Sequence, residues 1–210
     1  MKKPFTLVEV LIAMSVLSVF LLGLMQFYSS TETVLNSGVE RTEMFERARI
    51  AMDMMANDLA CTYYSQTDDD LKPFDSSENS FSVATVRPEK LNKNAKTNIM
   101  AVKYSWNKGK QSIVYSCDSN GDNFGLSGAS FGNETELVDG VTDFSVKPYF
   151  AEGFNLLPAL VVIRMELVDG KTMKRIQANP SAKSTILENA SRREFRRMVV
   201  IDRGQPKPKL

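Results

Sequence analysis

The sequence predicts an α+β fold: a long N-terminal helix, membrane-spanning in its first half and amphipathic in its second, packed on a mainly antiparallel β-sheet domain. Two observations carry this. Residues 5–28 hold a single charged side chain, Glu9, and beyond residue 62 the apolar pattern changes from a helical period to alternation. A length of 210 residues suits one modest domain beside the apolar segment. The 26 Lys+Arg nearly balance the 25 Asp+Glu, so the overall charge advertises no nucleic-acid surface. The chain has no histidine, which removes Ser-His-Asp and Cys-His nucleophiles, HExxH zinc sites and imidazole bases.

Taken in order, the chain opens on a short basic head, Met1-Lys2-Lys3-Pro4, followed by apolar sequence from Phe5 to Tyr28. As a helix rising ~1.5 Å per residue, that stretch reaches roughly 36 Å, enough for a hydrocarbon core of ~30 Å with some tilt. The lysines before it favour a cytoplasmic head and an extracytoplasmic remainder. A secretory signal fits poorly, because its apolar region would be shorter and end in a small-residue cleavage motif. An acid in a membrane helix costs about 2.5–3.5 kcal/mol near the centre, so Glu9 either finds a partner or reaches back to the headgroups from one turn inside the span.

Helical character continues through 29–62. Phe45, Ala48, Met52, Met55 and Leu59 step by three and four, with Glu43, Glu46, Arg47, Arg49, Asp53 and Asp58 off that stripe. Ser29-Ser30-Thr31 and Ser37-Gly38 lower the propensity and are the places where the helix would bend. Strands are expected near 81–87, 99–106, 111–117, 141–149, 158–168, 172–178 and 194–202, with Lys108-Gly109 turning a hairpin. The expected boundaries are a leader over 1–4, an apolar helix over 5–28, a domain over 29–203, and a disordered tail over 204–210.

The leader and the segment after it, Phe5-Thr6-Leu7-Val8-Glu9-Val10-Leu11-Ile12-Ala13, closely resemble the type IV prepilin signature of pilins and type II secretion pseudopilins. The resemblance implies cleavage between Pro4 and Phe5 by a prepilin peptidase, N-methylation of Phe5, and a role for Glu9 in assembly through the freed amino terminus of a neighbouring subunit. Pro4 stands where the family has glycine, and its fixed φ and missing N–H alter how that peptide would lie in a protease. Further along, Tyr104-Ser105-Trp106 and Leu137-Val138-Asp139-Gly140-Val141-Thr142-Asp143-Phe144-Ser145-Val146 look like the J-type minor pseudopilin. That resemblance implies a bacterial inner-membrane, single-pass subunit with a periplasmic domain, near the tip of a pseudopilus that exports folded proteins. Its partners would be other pseudopilins or pilins, the prepilin peptidase, the inner-membrane assembly platform and membrane lipid, with no nucleic acid and no cofactor. Minor pilins of type IV pili and competence filaments share the architecture, and an anchored extracellular binding module is a further alternative.

Other motifs leave two readings each. Asp118-Ser119-Asn120-Gly121-Asp122-Asn123 is oxygen-rich like a calcium loop, but Asn123 and Ala129 stand where glycine and an acid belong, and Asn-Gly equally marks a turn. Cys61 and Cys117 are permitted a disulfide in an oxidising compartment. Arg192-Arg193 and Arg196-Arg197 either meet an anionic partner or protect an edge strand from aggregation. Asp139, Asp143 and Glu166 show no spacing that singles out an acid–base pair, so no enzyme and no metal site is expected.

Overall fold

The computed structural model describes residues 6–64, 72–87, 98–118, 126–151 and 157–201. Pro4, Phe5, the core of the oxygen-rich loop at 119–125 and the tail at 204–210 lie outside them. The chain forms two compact units, 1–42 and 43–210.

Helix α1, Leu7–Ala60, contributes to both. Its weak stretches are helical, and their hydroxyls bond back to carbonyls one turn earlier. Thr31 donates to Phe27 O, Thr33 to Ser29 O, Ser37 to Thr33 O and Thr42 to Gly38 O, at 2.8–3.0 Å. The expected bend sites are therefore helical throughout. Residues 6–36 are all exposed. From Met44 onward one stripe is buried, and Ala48, Met55 and Leu59 have no accessible surface. Burying a side chain the size of Met55 or Leu59 stabilises by about 1.5–3 kcal/mol.

The unit over 43–210 sets this stripe against two antiparallel sheets rather than one. Strands β1 (Phe74–Ser77), β2 (Ser80–Val86), β3 (Ile99–Asn107), β4 (Ser112–Cys117) and β5 (Thr135–Val138) lie side by side in chain order. Strands β6 (Val141–Tyr149), β7 (Leu160–Val168) and β8 (Arg192–Val200) form the second sheet, also in order. Alternation places Val161, Ile163, Met165 and Leu167 of β7 wholly inside, with Phe144 of β6, in one core shared with the helix stripe and with Phe81, Val83 and Val102 of the first sheet. Phe81, Tyr104 and Tyr115 stand opposite one another across β2, β3 and β4, and their rings meet at centroid distances of 5.0 and 5.3 Å.

Several expectations change. The hairpin turn is a four-residue loop held by Asn107, whose Oδ1 accepts from the N–H groups of Gly109 and Lys110 at 3.1 Å, and the left-handed residue is Gln111 at φ 54°, not Gly109. The strand expected at 172–178 is helix α2, Gly170–Ala178, because the Asp169 carboxylate accepts from Thr172 N at 2.7 Å and starts a helix whose Met173 and Ile176 are buried one turn apart. A short helix, α3 (Lys183–Glu188), follows where no element was expected. The short strands β1 and β5 were likewise unmarked, since Asp75-Ser76-Ser77 and Thr135-Glu136 carry no apolar alternation.

Gly140 explains the Val-Asp-Gly-Val segment between β5 and β6. Its φ is +76°, and a Cβ there would stand 3.0 Å from Val168 O and 3.1 Å from Met44 Sδ. Only glycine lets the chain turn from one sheet into the other while the Val168 N–H donates to Gly140 O at 3.1 Å.

Candidate functional site

The first turn of α1 is built around Thr6 and Glu9. With Leu7 as the first helical residue, Thr6 is the N-cap and Glu9 the third position inside. Glu9 Oε2 accepts from both the backbone N–H and the hydroxyl of Thr6 at 3.0 Å, and Glu9 N donates back to Thr6 Oγ1 at 3.4 Å. This is a reciprocal capping box, and its signature, Thr-x-x-Glu before an apolar run, stands in the sequence at 6–9. The acid therefore has a structural role beside the two read from the sequence: it satisfies donors that the helix start leaves unpaired, and its charge sits at the positive end of the helix dipole. Both described bonds to the Glu9 carboxylate use Oε2.

A second polar cluster lies at the other end of α1, where sequence reasoning assigned only solvent. Asp58, off the apolar stripe, is 2% exposed. Arg87 Nη2, just past the end of β2, donates to its two carboxylate oxygens at 2.9 and 2.7 Å, and the Tyr104 hydroxyl of β3 donates to Oδ2 at 2.5 Å. Burial, the largest single influence, pulls the Arg87 guanidinium down, but the Asp58 charge, its hydrogen bond and the neighbouring tyrosines together hold the group above its ordinary value. Burial first, and then the Asp58 carboxylate, push the Tyr104 phenol well above its ordinary range, and burial raises Tyr115 likewise against the opposing pull of Arg87. All three groups keep their protons at neutral pH, so the cluster is an ion pair with a neutral donor. It pins the last turn of α1 to the first sheet.

The remaining sequence candidates do not converge. Asp143 and Glu166 face each other across β6 and β7, with Arg164 at 3.8 Å from the first and 3.7 Å from the second, and Arg192 at 3.1 Å from Glu166. They form a charge ladder on the outer face of the second sheet. The two cysteines are free. Cys61 O accepts from Val86 N on the side of β2 away from β3, whereas Cys117 pairs with Val102 and through it with Val83, so the two cysteines lie three strand spacings across and three residues along. That offset is roughly 17 Å, well beyond the ~7 Å a disulfide spans. Among the described residues no group of three or more Cys, Asp or Glu is placed to hold a metal.

The first half of α1 is long and apolar enough to cross a membrane, and none of its most apolar window is buried. No family model matches the chain. It is 39% identical over 59 residues to the pilin-like protein PilA3 of Thermus thermophilus, an overlap of 28% of this chain and 25% of that protein. The chain thus spans a quarter of the length of this pilin-like relative.

Proposed function

We propose that the chain is a minor pseudopilin, a subunit near the tip of a type II secretion pseudopilus that acts in the export of folded proteins. The observation that carries the reading is the composition of one helix: an exposed apolar segment with a single acid in its first turn, continuing into a stripe that is the core of a β domain. Such a subunit waits in the inner membrane, with its domain in the periplasm, until the assembly platform extracts it. Prepilin peptidase cuts between Pro4 and Phe5 and methylates Phe5. Glu9 then meets the amino terminus of a neighbouring pseudopilin while both helices lie in lipid, where an unpaired charge is costly. The subunit performs no catalysis and carries no cofactor. Membership of a type IV pilus or competence filament is the second reading, favoured by the partial likeness to a pilin-like protein.

Glu9→Gln isolates the charge, because glutamine at the third helical position also completes a capping box. The variant reaches the membrane at normal abundance, yet crosslinks to co-expressed partner subunits and supports export less well than the wild type. Thr6→Val weakens the cap, keeps the charge, and leaves crosslinking the less affected of the two. Equal crosslinking and export for wild type and Glu9→Gln would leave an anchored binding module as the better reading.

A further inference from the structure

We propose that the basic end of the 43–210 unit, formed by α2 and the start of β8, docks on the anionic headgroups of the membrane that α1 crosses. The inference rests on reading the first half of α1 as a span. Charge is segregated along the chain: residues 43–168 hold 12 Lys+Arg against 18 Asp+Glu, whereas residues 169–210 hold 11 against 4. Helix α2 concentrates that excess. Met173 and Ile176 turn inward onto Ile186, Leu187 and Ala190. Lys174 and Arg175, three and four residues on from Lys171, share with it the opposite, exposed side. No acid lies in α2, and Lys171 occupies its first turn, where the helix dipole disfavours a cation. The basic stripe therefore weakens the helix that carries it, and it points to an anion outside the chain.

Position in the fold says which anion. Helix α2 leaves the second sheet after Val168, which bonds to Gly140, the residue whose missing Cβ makes room for Met44 Sδ. The chain returns from α3 into Arg192 and Arg193, and the Arg193 guanidinium lies 4.5 Å from the centroid of the Phe45 ring. Further along β8, Arg197 pairs with Asp53 at 3.2 Å. Strand β8 thus runs in the same direction as α1, and its basic start stands where α1 enters the unit. Residues 29–42 separate that point from the apolar segment, about 21 Å of helix. They carry an apolar stripe of their own: Val34, Leu35 and Val39 are exposed, Thr31, Gly38 and Thr42 fall on the same side at helical steps, and Glu40 falls opposite. That pattern suits a headgroup layer and leaves the basic end no gap to cross. A soluble acidic protein offers the same charge but no reason for the patch to sit at the tether. Attraction to a charged bilayer decays within about 8 Å at physiological salt, so it acts while α1 is in the membrane and ends when the helix is drawn out.

The test uses the full chain, carrying Cys61→Ser and Cys117→Ser, in nanodiscs of phosphatidylcholine alone or with phosphatidylglycerol added. A fluorophore is attached through Ala178→Cys on the basic side of α2, Ala151→Cys beyond the opposite end of the second sheet, or Leu17→Cys in the span. Quenching is read from a nitroxide on the lipid headgroup, and for position 17 from one on the acyl chain. At position 178 quenching is about threefold greater with phosphatidylglycerol than without it, and the difference disappears at high salt. Position 151 shows none in either lipid. Lys174→Gln with Arg175→Gln at least halves the difference at 178, while the thermal midpoint stays level or rises because like charges along α2 are relieved. Quenching at 178 that is absent, equal in the two lipids, or unchanged by the double variant would overturn the proposal. Absent quenching together with salt-sensitive binding of a polyaspartate peptide would reassign the patch to an acidic protein. Should position 17 escape the acyl-chain nitroxide, the span itself fails; should 17 be quenched and 178 not, this inference fails alone.

Discussion

Leu7–Tyr28 and Glu43–Ala60 are stretches of the same helix, and they obey different rules. In the first, apolar residues occupy the whole circumference and all are exposed; in the second all but a few, such as the exposed Ile50, form one stripe turned to the core while charged residues hold the other side. A helix apolar all round suits a medium that is itself apolar, whereas a striped helix suits a boundary between a core and water. The polar exceptions follow the same division. Glu9 is held by its own turn, as a group with few partners must be, whereas Asp58 draws an arginine and a tyrosine from two strands. What separates the halves is the solvent each was selected for, not helix propensity.

One charge placed in each half breaks the comparison most sharply. Met55→Lys buries an unpaired ammonium in the shared core and costs the domain more than about 4 kcal/mol, enough to abolish the cooperative thermal transition of the full chain in detergent. Leu17→Lys leaves that transition where it was and lowers the membrane-integrated fraction instead, by the equivalent of about 2.5–3.5 kcal/mol on insertion scales. A shared phenotype for the two would erase the distinction. Asp58→Ala follows in size: it strands Arg87 and the Tyr104 hydroxyl and destabilises the domain by about 3–5 kcal/mol in urea unfolding, without altering membrane integration. A loss below about 1 kcal/mol, the usual size of a surface ion pair, would mean that the cluster is peripheral to the fold.

The smallest effect concerns pH. Tyr104 and Tyr115 have folded-state values raised above those of the unfolded chain. Their protonated forms are therefore favoured by folding, and that contribution is complete below the ordinary tyrosine value of about 10 and is lost as pH rises above it. Stability should fall on the alkaline side. Tyr104→Phe keeps the ring stacked on Phe81, lowers stability at neutral pH, and flattens the alkaline decline. An unchanged slope in the variant would remove Tyr104 as its source.

Legibility in the sequence followed how local each signal is. The stripe Ala48, Met52, Met55 and Leu59 and the alternation Val161 to Leu167 are periodic over several repeats, and both elements form as expected. At 172–178 short-range alternation competed with a cap: Asp169 three residues before Thr172 is a helix start, and the cap decides. Asp58 was unreadable because its partners come 29 and 46 residues later, and no local pattern distinguishes a buried aspartate from a solvated one. The Thr6–Glu9 box is the opposite case, fully local and visible as Thr-x-x-Glu, but overshadowed by the cost of placing an acid near a membrane. The edge character of β8 needed the strand order, although its arginines pointed to it.

The division of α1 into two solvents is tested most directly by cysteine accessibility in native membranes. In a chain carrying Cys61→Ser and Cys117→Ser, single cysteines replace Leu11, Leu17 and Leu24 in the apolar half, and Glu46, Arg49 and Asp53 on the charged side of the other. A charged maleimide that does not cross membranes is applied from the side bearing the domain. Positions 46, 49 and 53 should label readily, and positions 11, 17 and 24 should resist until the protein is denatured in detergent. Uniform labelling along the whole helix before denaturation would contradict the account.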